Sequence, residues 1–424
     1  MAETLLTALP NGLRLALHPM PATYSVSVVV LVGTGGRYES DEQAGISHLL
    51  EHMMFKGTER RPSAQQIAET VERLGGRFNA STSRELTTYY VKVPSHHLEV
   101  GLDLLADMLQ HSLLAEAEIE REKGVILEEI AQGEDVPTVV GAHLLQRTVW
   151  GNHPLGRPVI GSRETVQALG RADLHAYLAG HYAPSRMVVS VAGHVDADAA
   201  ASRLSELYAG WPATPAPLAL PAEYPEQAAP VALSHHDGQA HLLLSAPGVA
   251  LDHPDQMAFA LMSEILGGGM SSRLFLEVRE RRGLAYSVGA SSSSLSDYGA
   301  LTVHAGVAPA RAVDALHVIG AELRRLAEQE VSDDELERVR GHYEGTLLLA
   351  LEDSYNMASR NGRSVLQRGY ARTPEESISL VQAVTAADIR RLAADLLQPR
   401  DLRLAVVGPF DDPVPFASAL GEPG

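Results

Sequence analysis

"YAPSRMVVSVAGHVDAD" at residues 182–198 and "LQPRDLRLAVVGPFDDP" at residues 397–413 are two versions of one phrase. Pro184 answers Pro399 and Gly193 answers Gly408, both at an offset of 215 residues. In each, a β-branched and leucine-rich run is bounded by Pro before it and Gly after it, the pattern of a buried strand. At nearly the same offset, "AEIEREKGVIL" (117–127) answers "DELERVRGHYE" (334–344). A strand and a helix recurring together predict one α/β unit written twice in tandem.

The punctuation between the copies agrees. "WPATPAPLALPAEYPEQAAP", from Trp211 to Pro230, holds six prolines and no apolar period, as a linker does. Within each copy, alternating runs such as "TTYYVKVP" (87–94) and "ALTVHAGV" (300–307) lie between helical patterns such as "LEVGLDLLADMLQ" (98–110) and "ARAVDALHVIGAELRRL" (310–326). The expected fold class is α+β: two homologous domains, each a mostly antiparallel sheet with helices packed on one side. Residues 1–212 form the first domain, 213–230 a Pro/Ala-rich linker and 231–424 the second. Leu13, Leu15 and Leu17 alternate with more polar residues after Asn11-Gly12, which predicts the second strand of a hairpin.

Composition narrows the function. A chain of 424 residues is the length of two domains. Lys and Arg total 34 against 53 Asp and Glu, a formal charge of −19 with no basic stripe, so nucleic acid is not expected as a partner. There is no Cys, which removes disulfides, thiolate zinc sites and cysteine nucleophiles. Any metal must therefore be held by His, Asp or Glu. The start, "MAETLLTALPNGLRLALHP", lacks the basic and apolar regions of a secretory signal. The apolar run "VSVVVLVG" (26–33) falls far short of the roughly 20 residues of a membrane span. A cytoplasmic protein without a membrane partner is expected.

The copies differ where chemistry would sit. The first carries "GISHLLEHMMFKGT" (45–58); the second has "MSEILGGGMS" (262–271), without either histidine. The fold therefore does not require them. On a helix, His48, Glu51 and His52 at i, i+3 and i+4 share an arc of roughly 100°. Two imidazoles one turn apart are a pair of zinc ligands, and a catalytic zinc wants one more protein ligand beside a water. The best source of an anionic ligand is "IEREKGVILEEI" (119–130), where Glu122 and Glu129 are seven apart and nearly eclipsed, while Glu120 and Glu128 point to other faces. "SHH" ending at His97 and "SHHD" ending at Asp237 sit in turns without a partner helix. The three glycines of "LGGGMSSRLF" lack the Gly-x-x-x-x-Gly-Lys pattern of a phosphate loop.

"HLLEHMMFKGT", "GGRFNASTSRELTTYY" and "EREKGVILEEI" resemble, in this order, the inverted-zincin metallopeptidases of the pitrilysin, insulin-degrading enzyme and mitochondrial processing peptidase type. The resemblance continues through "NHPLGRPVIG" (152–161) and "LGGGMSSRLFLEVRERRGLAYSV" (266–288) to "LRLAVVGPF". It implies a zinc metalloendopeptidase acting on peptides or unfolded polypeptides, with one zinc per chain on His48, His52 and Glu129. Glu51 falls on the general base, taking a proton from a water whose pKa the zinc lowers. Glu122 matches an additional acidic residue of the catalytic group that orients a ligand. Asn79 and Ala80 fall on an exposed edge strand that takes substrate by β-augmentation. Arg279 and Tyr286 match a pair that contacts substrate and stabilises the oxyanion.

The resemblance also implies an assembly. Long members of the family contain about twice this sequence, so a homodimer is expected, with each zinc site completed by the partner's second domain; a heterodimer with a zinc-free relative is the alternative. Other members have lost the zinc motif and serve as non-catalytic or regulatory subunits. Presequence-processing members carry extra acidic residues where this chain reads "VVGAHLL" (139–145).

Overall fold

In the computed structural model of the chain, residues 3–215, 219–222 and 230–421 are described. Of the linker expected at 213–230, residues 216–218 and 223–229 lie outside the described residues. Two sheets organise the rest. The first contains β1 (Leu5–Ala8), β2 (Arg14–Pro19), β3 (Ser25–Val32), β4 (Arg77–Thr82), β5 (Thr87–Pro94) and β6 (Met187–Gly193), in the order β1-β2-β6-β3-β5-β4. The second contains β7 (Val231–His235), β8 (Ala240–Gly248), β9 (Ala285–Ser294), β10 (Gly299–Val307) and β11 (Arg403–Gly408), in the order β7-β11-β8-β10-β9.

The duplication is legible in this order. The two copies of the opening phrase are β6 and β11, and each pairs in parallel with an early strand of its repeat, β6 with β2 and β11 with β7. Every other pairing is antiparallel. The Asn11-Gly12 hairpin forms, with Leu5 opposite Leu17. At one edge of the first sheet stands β4, paired with β5; β9 takes the same position in the second, paired with β10.

The chain folds into two compact units, and each draws a segment from the other half of the sequence. The first comprises residues 3–130, 158–220 and 347–373; the second comprises 131–157, 221–346 and 374–421. The cause lies in strands that are apolar on both faces. In β3, Val28, Val30 and Val32 point into the main core, while Val29 and Leu31 point to the opposite face. That second face needs its own cover. The helix Ser354–Arg368 supplies it, packing Met357, Ala358 and Val365 on Val29, Leu31 and Val188. Lys92 fixes its start through Asp353 at 2.5 Å.

In the second unit the helix Pro137–Trp150 does the same, setting Leu145 and Val149 on Leu243 and Ala405. Each covering helix presses a glycine onto its sheet. A Cβ at Gly362 would come within 2.3 Å of Leu31, and one at Gly141 within 2.5 Å of Leu243. Among the described residues, the far face of each sheet is thus covered by a helix, Ser354–Arg368 in the first unit and Pro137–Trp150 in the second. Among the described residues, no helix is long and apolar enough to cross a membrane.

Candidate metal centre

Helix α1 (Ile46–Met53) carries two stripes. Ile46, Leu49, Leu50 and Met53 repeat at helical spacing and are fully buried in the first unit's core, each burial stabilising by about 1.5–3 kcal/mol. His48, Glu51 and His52 repeat two positions later, which rotates them about 200° to the other face. Core packing therefore aims the polar stripe outward.

The entry to α1 is tightly specified. Glu39, itself buried, accepts hydrogen bonds from the backbone N–H groups of Gly45 and Ser47, both at 2.9 Å, so its carboxylate lies against the positive end of the helix. Gly45 has φ +96°, and its backbone meets that of Gly161, which has φ +83°. A Cβ on Gly161 would stand 2.5 Å from the carbonyl oxygen of Ala44. The final glycine of "NHPLGRPVIG" therefore abuts the start of the histidine-bearing helix.

Opposite α1 runs the helix Glu116–Glu134, anchored by the buried Ile119 and Ile126. Its heptad spacing turns Glu122 and Glu129 to the same side, as the sequence implied. Oε2 of Glu129 lies 3.9 Å from His48 Nε2, and Oε1 lies 4.0 Å from His52 Nε2. The ligand atoms of His48, His52 and Glu129 all fall within 4.8 Å of one another, and among the described residues no other such group of His, Asp and Glu occurs. These separations are too long for hydrogen bonds. They are a few tenths of an ångström wider than the roughly 3.4 Å between two ligands of a tetrahedral zinc with bonds of about 2.0–2.2 Å, so a small inward adjustment of the side chains lets them share one ion.

The donor set is chemically prepared for a metal. Burial, reinforced by the adjacent His52, pushes His48 down to about 4, so its imidazole stays neutral across the physiological range. His52 Nδ1 donates to Glu122 Oε2 at 3.1 Å, which leaves Nε2 with its lone pair on the Glu129 side. Glu122 is buried and receives Lys56 Nζ on its other oxygen at 2.6 Å. Glu51 stands beside the cluster. Burial pushes its carboxyl up, against a hydrogen bond from Thr82 and the nearby His52. Thr82 Oγ1 donates to Glu51 Oε2 at 2.5 Å.

Asn79 and Ala80 lie on the edge strand β4, where Asn79 is exposed and Ala80 half-buried. The inward side of this strand meets α1 and the turn after it, with the Phe78 ring 5.5 Å from Phe55. Arg279 and Tyr286 belong to the second unit and form their own pair, the guanidinium 5.8 Å from the tyrosine ring centre. Tyr286 is 79% exposed. Arg281 and Arg282 both pair with Glu277, whereas Arg279 has no carboxylate partner among the described residues. The other histidine-rich spots do not converge on a ligand set: the His96 and His97 rings meet at a tilt in a short turn, and His235 lies 3.6 Å from both Asp237 and Asp411. Sequence reasoning missed Glu39, Lys56 and Thr82. An acidic residue shortly before a helix was a usable signal for Glu39; for Thr82 there was none.

Family models match most of the chain. Residues 14–163 match the one described as Insulinase (Peptidase family M16), and residues 168–342 the one described as Peptidase M16 inactive domain. A Bacillus subtilis protein named an uncharacterized zinc protease is 38% identical over 400 residues, covering 94% of this chain and 97% of its own. One of the same designation from Streptomyces coelicolor is 37% identical over 413 residues, covering 96% and 90%. Among solved structures, a protease from Helicobacter pylori matches with a TM-score of 0.90 at 25% identity, covering 96% of this chain and 100% of that one.

Proposed function

Because this chain belongs to the insulinase family of M16 peptidases, we propose that it is a zinc-dependent metalloendopeptidase that hydrolyses peptides or unfolded polypeptides. The observation that carries the reading is the convergence of His48, His52 and Glu129 at ligand spacing, with a carboxylate able to accept a proton, Glu51, one residue from a ligand.

His48, His52 and Glu129 would hold the ion. Zinc, when bound, supplies Lewis-acid polarisation of the scissile carbonyl and a water of lowered pKa. Glu51 accepts a proton at its carboxylate and returns it to the leaving amine, a general base turned general acid. Glu122 fixes the His52 ring. The backbone of β4 near Asn79 and Ala80 takes the peptide as an added strand, a role its edge position supports. Arg279, with no carboxylate partner among the described residues, and the exposed Tyr286 hydroxyl stabilise the oxyanion. The working particle is a homodimer in which Arg279 and Tyr286 of one chain serve the partner's site, with a heterodimer as the other arrangement.

Metal analysis alongside hydrolysis of an unstructured quenched peptide tests the reading. Glu51→Gln should keep stoichiometric zinc and lose at least about 100-fold in kcat. His48→Ala and Glu129→Ala should lose zinc, and a chelator should abolish activity reversibly. Stoichiometric zinc in His48→Ala sinks the ligand assignment; hydrolysis unchanged in Glu51→Gln leaves the non-catalytic or regulatory-subunit reading in its place.

A further inference from the structure

The Glu51 side chain has several rotatable bonds and sits on a helix of eight residues, yet a general base must be held within a fraction of an ångström of its task. Freezing such a side chain costs about 1.5–2 kcal/mol of rotamer freedom, so something must hold it. Among the described residues, the hydrogen bond to its carboxylate comes from Thr82 Oγ1, at 2.5 Å on Oε2. That length is typical of an O–H donor on an ionised carboxylate. Oε1 has no such partner. The two oxygens of the base are therefore unequal before any substrate arrives.

Thr82 is itself firmly set. It is the last residue of β4, opposite Thr87 of β5, whose hydroxyl donates to the Thr34 carbonyl at 3.0 Å. The next residue, Ser83, closes the hairpin by bonding Leu86 through backbone and hydroxyl. Beyond it the hairpin carbonyls of Ser83 and Arg84 accept from Gly36 and Arg37. The hydroxyl that meets Glu51 is thus supported by the sheet on one side and by the turn on the other.

We propose that Thr82 is a positioning residue for the base: its hydroxyl fixes Oε2 and so presents Oε1 to the reaction, and because it ends β4 it sets the base in register with a peptide lying along that strand. This rests on the peptidase reading above. What the hydroxyl adds is direction, since it approaches from the side chain and pins one oxygen. Ser81 and Asn79, which point to the exposed side of the same strand, cannot substitute for it.

The test is a pair of substitutions in the full-length, zinc-loaded protein. Thr82→Val keeps the shape and removes the hydroxyl; Thr82→Ser keeps the hydroxyl and removes the methyl. Thr82→Val should lower kcat by about 10–100-fold with KM within about twofold of wild type. Its zinc content and thermal unfolding should not change, and Thr82→Ser should recover most of the rate. A crystal structure of Thr82→Val should show the Glu51 carboxylate turned from its place beside residue 82. If Val does not yield folded protein, Thr82→Ala is read in the same way. Unchanged kcat in a folded hydroxyl-free variant overturns the proposal, as does an equal loss in Thr82→Ser or a loss that tracks departure of zinc. Should the wild-type chain prove inactive, the peptidase reading fails by itself, and the position of Glu51 in the variant crystals still decides whether Thr82 holds it.

Discussion

Oε2 of Glu122 lies 3.1 Å from Nδ1 of His52, while Nε2 of the same ring looks toward Glu129. The carboxylate thus fixes which nitrogen bears the proton and which is free for a metal. Glu122→Ala should weaken zinc binding by about 10–100-fold without unfolding the chain. Glu122→Gln, which still offers an acceptor oxygen, should fall between it and wild type. Competition with a chromogenic chelator measures this. An unchanged affinity would reduce Glu122 to a counter-ion for Lys56.

Gly161 touches a helix that bears two of the candidate ligands, so a methyl group there should be felt at the metal. In Gly161→Ala the left-handed backbone costs about 1–2 kcal/mol, and the new Cβ must displace the Ala44 carbonyl at 2.5 Å. Thermal unfolding should drop, and zinc affinity should drop with it because the start of α1 moves. Gly151→Ala also carries a positive φ but has open space around its Cβ, so it should lower stability alone.

Acid should act on the second unit through Arg273 and Glu335, joined by two hydrogen bonds of 2.8 and 2.9 Å. The Arg273 guanidinium holds Glu335 at about 2, against 4.5 for a free glutamate. A carboxyl depressed in this way stabilises the fold fully above about pH 4.5 and ceases to do so as pH falls through 2. Glu335→Gln should therefore be less stable than wild type at pH 7, by about 1.5–3 kcal/mol. The gap should close between pH 4.5 and 2. Urea unfolding at several pH values reads it out, and a gap independent of pH would separate this pair from acid sensitivity.

Assembly is open to complementation. Mixing inactive Glu51→Gln with inactive Tyr286→Phe protein should restore part of the activity, because one site of each mixed dimer would carry both intact groups. If subunit exchange is demonstrated and activity does not return, the two groups act within one chain or Tyr286 has another role.

Much of this architecture was legible in the sequence because it is periodic. A spacing of four brings His48 beside His52, a spacing of seven turns Glu122 and Glu129 to one side, and a repeated strand predicted a repeated sheet order. What stayed hidden is carried by contacts rather than by spacing. Thr82 reaches Glu51 across 31 positions, and a threonine ending a strand looks the same whether or not it holds a carboxylate. The run "VSVVVLVG" forms a strand buried on two faces, yet nothing in its pattern names Ser354–Arg368 as the cover. The helix that covers Leu243 was likewise unmarked, since its glycine reads as a weak helix former until the sheet beneath it is seen.

The covering helices also set a timetable. During synthesis, residue 220 leaves the ribosome well before residues 347–373, the last segment of the first unit. At about 5–20 residues per second, the intervening stretch takes roughly 8–30 s to appear. Throughout that interval Val29, Leu31 and Val188 have no helix over them, and a nascent chain already bearing the candidate metal ligands presents a bare apolar sheet face. The candidate ligands are therefore made before the sheet face is covered, and a chaperone that masks β-sheet surfaces would find its substrate in the half-made chain rather than in the finished one.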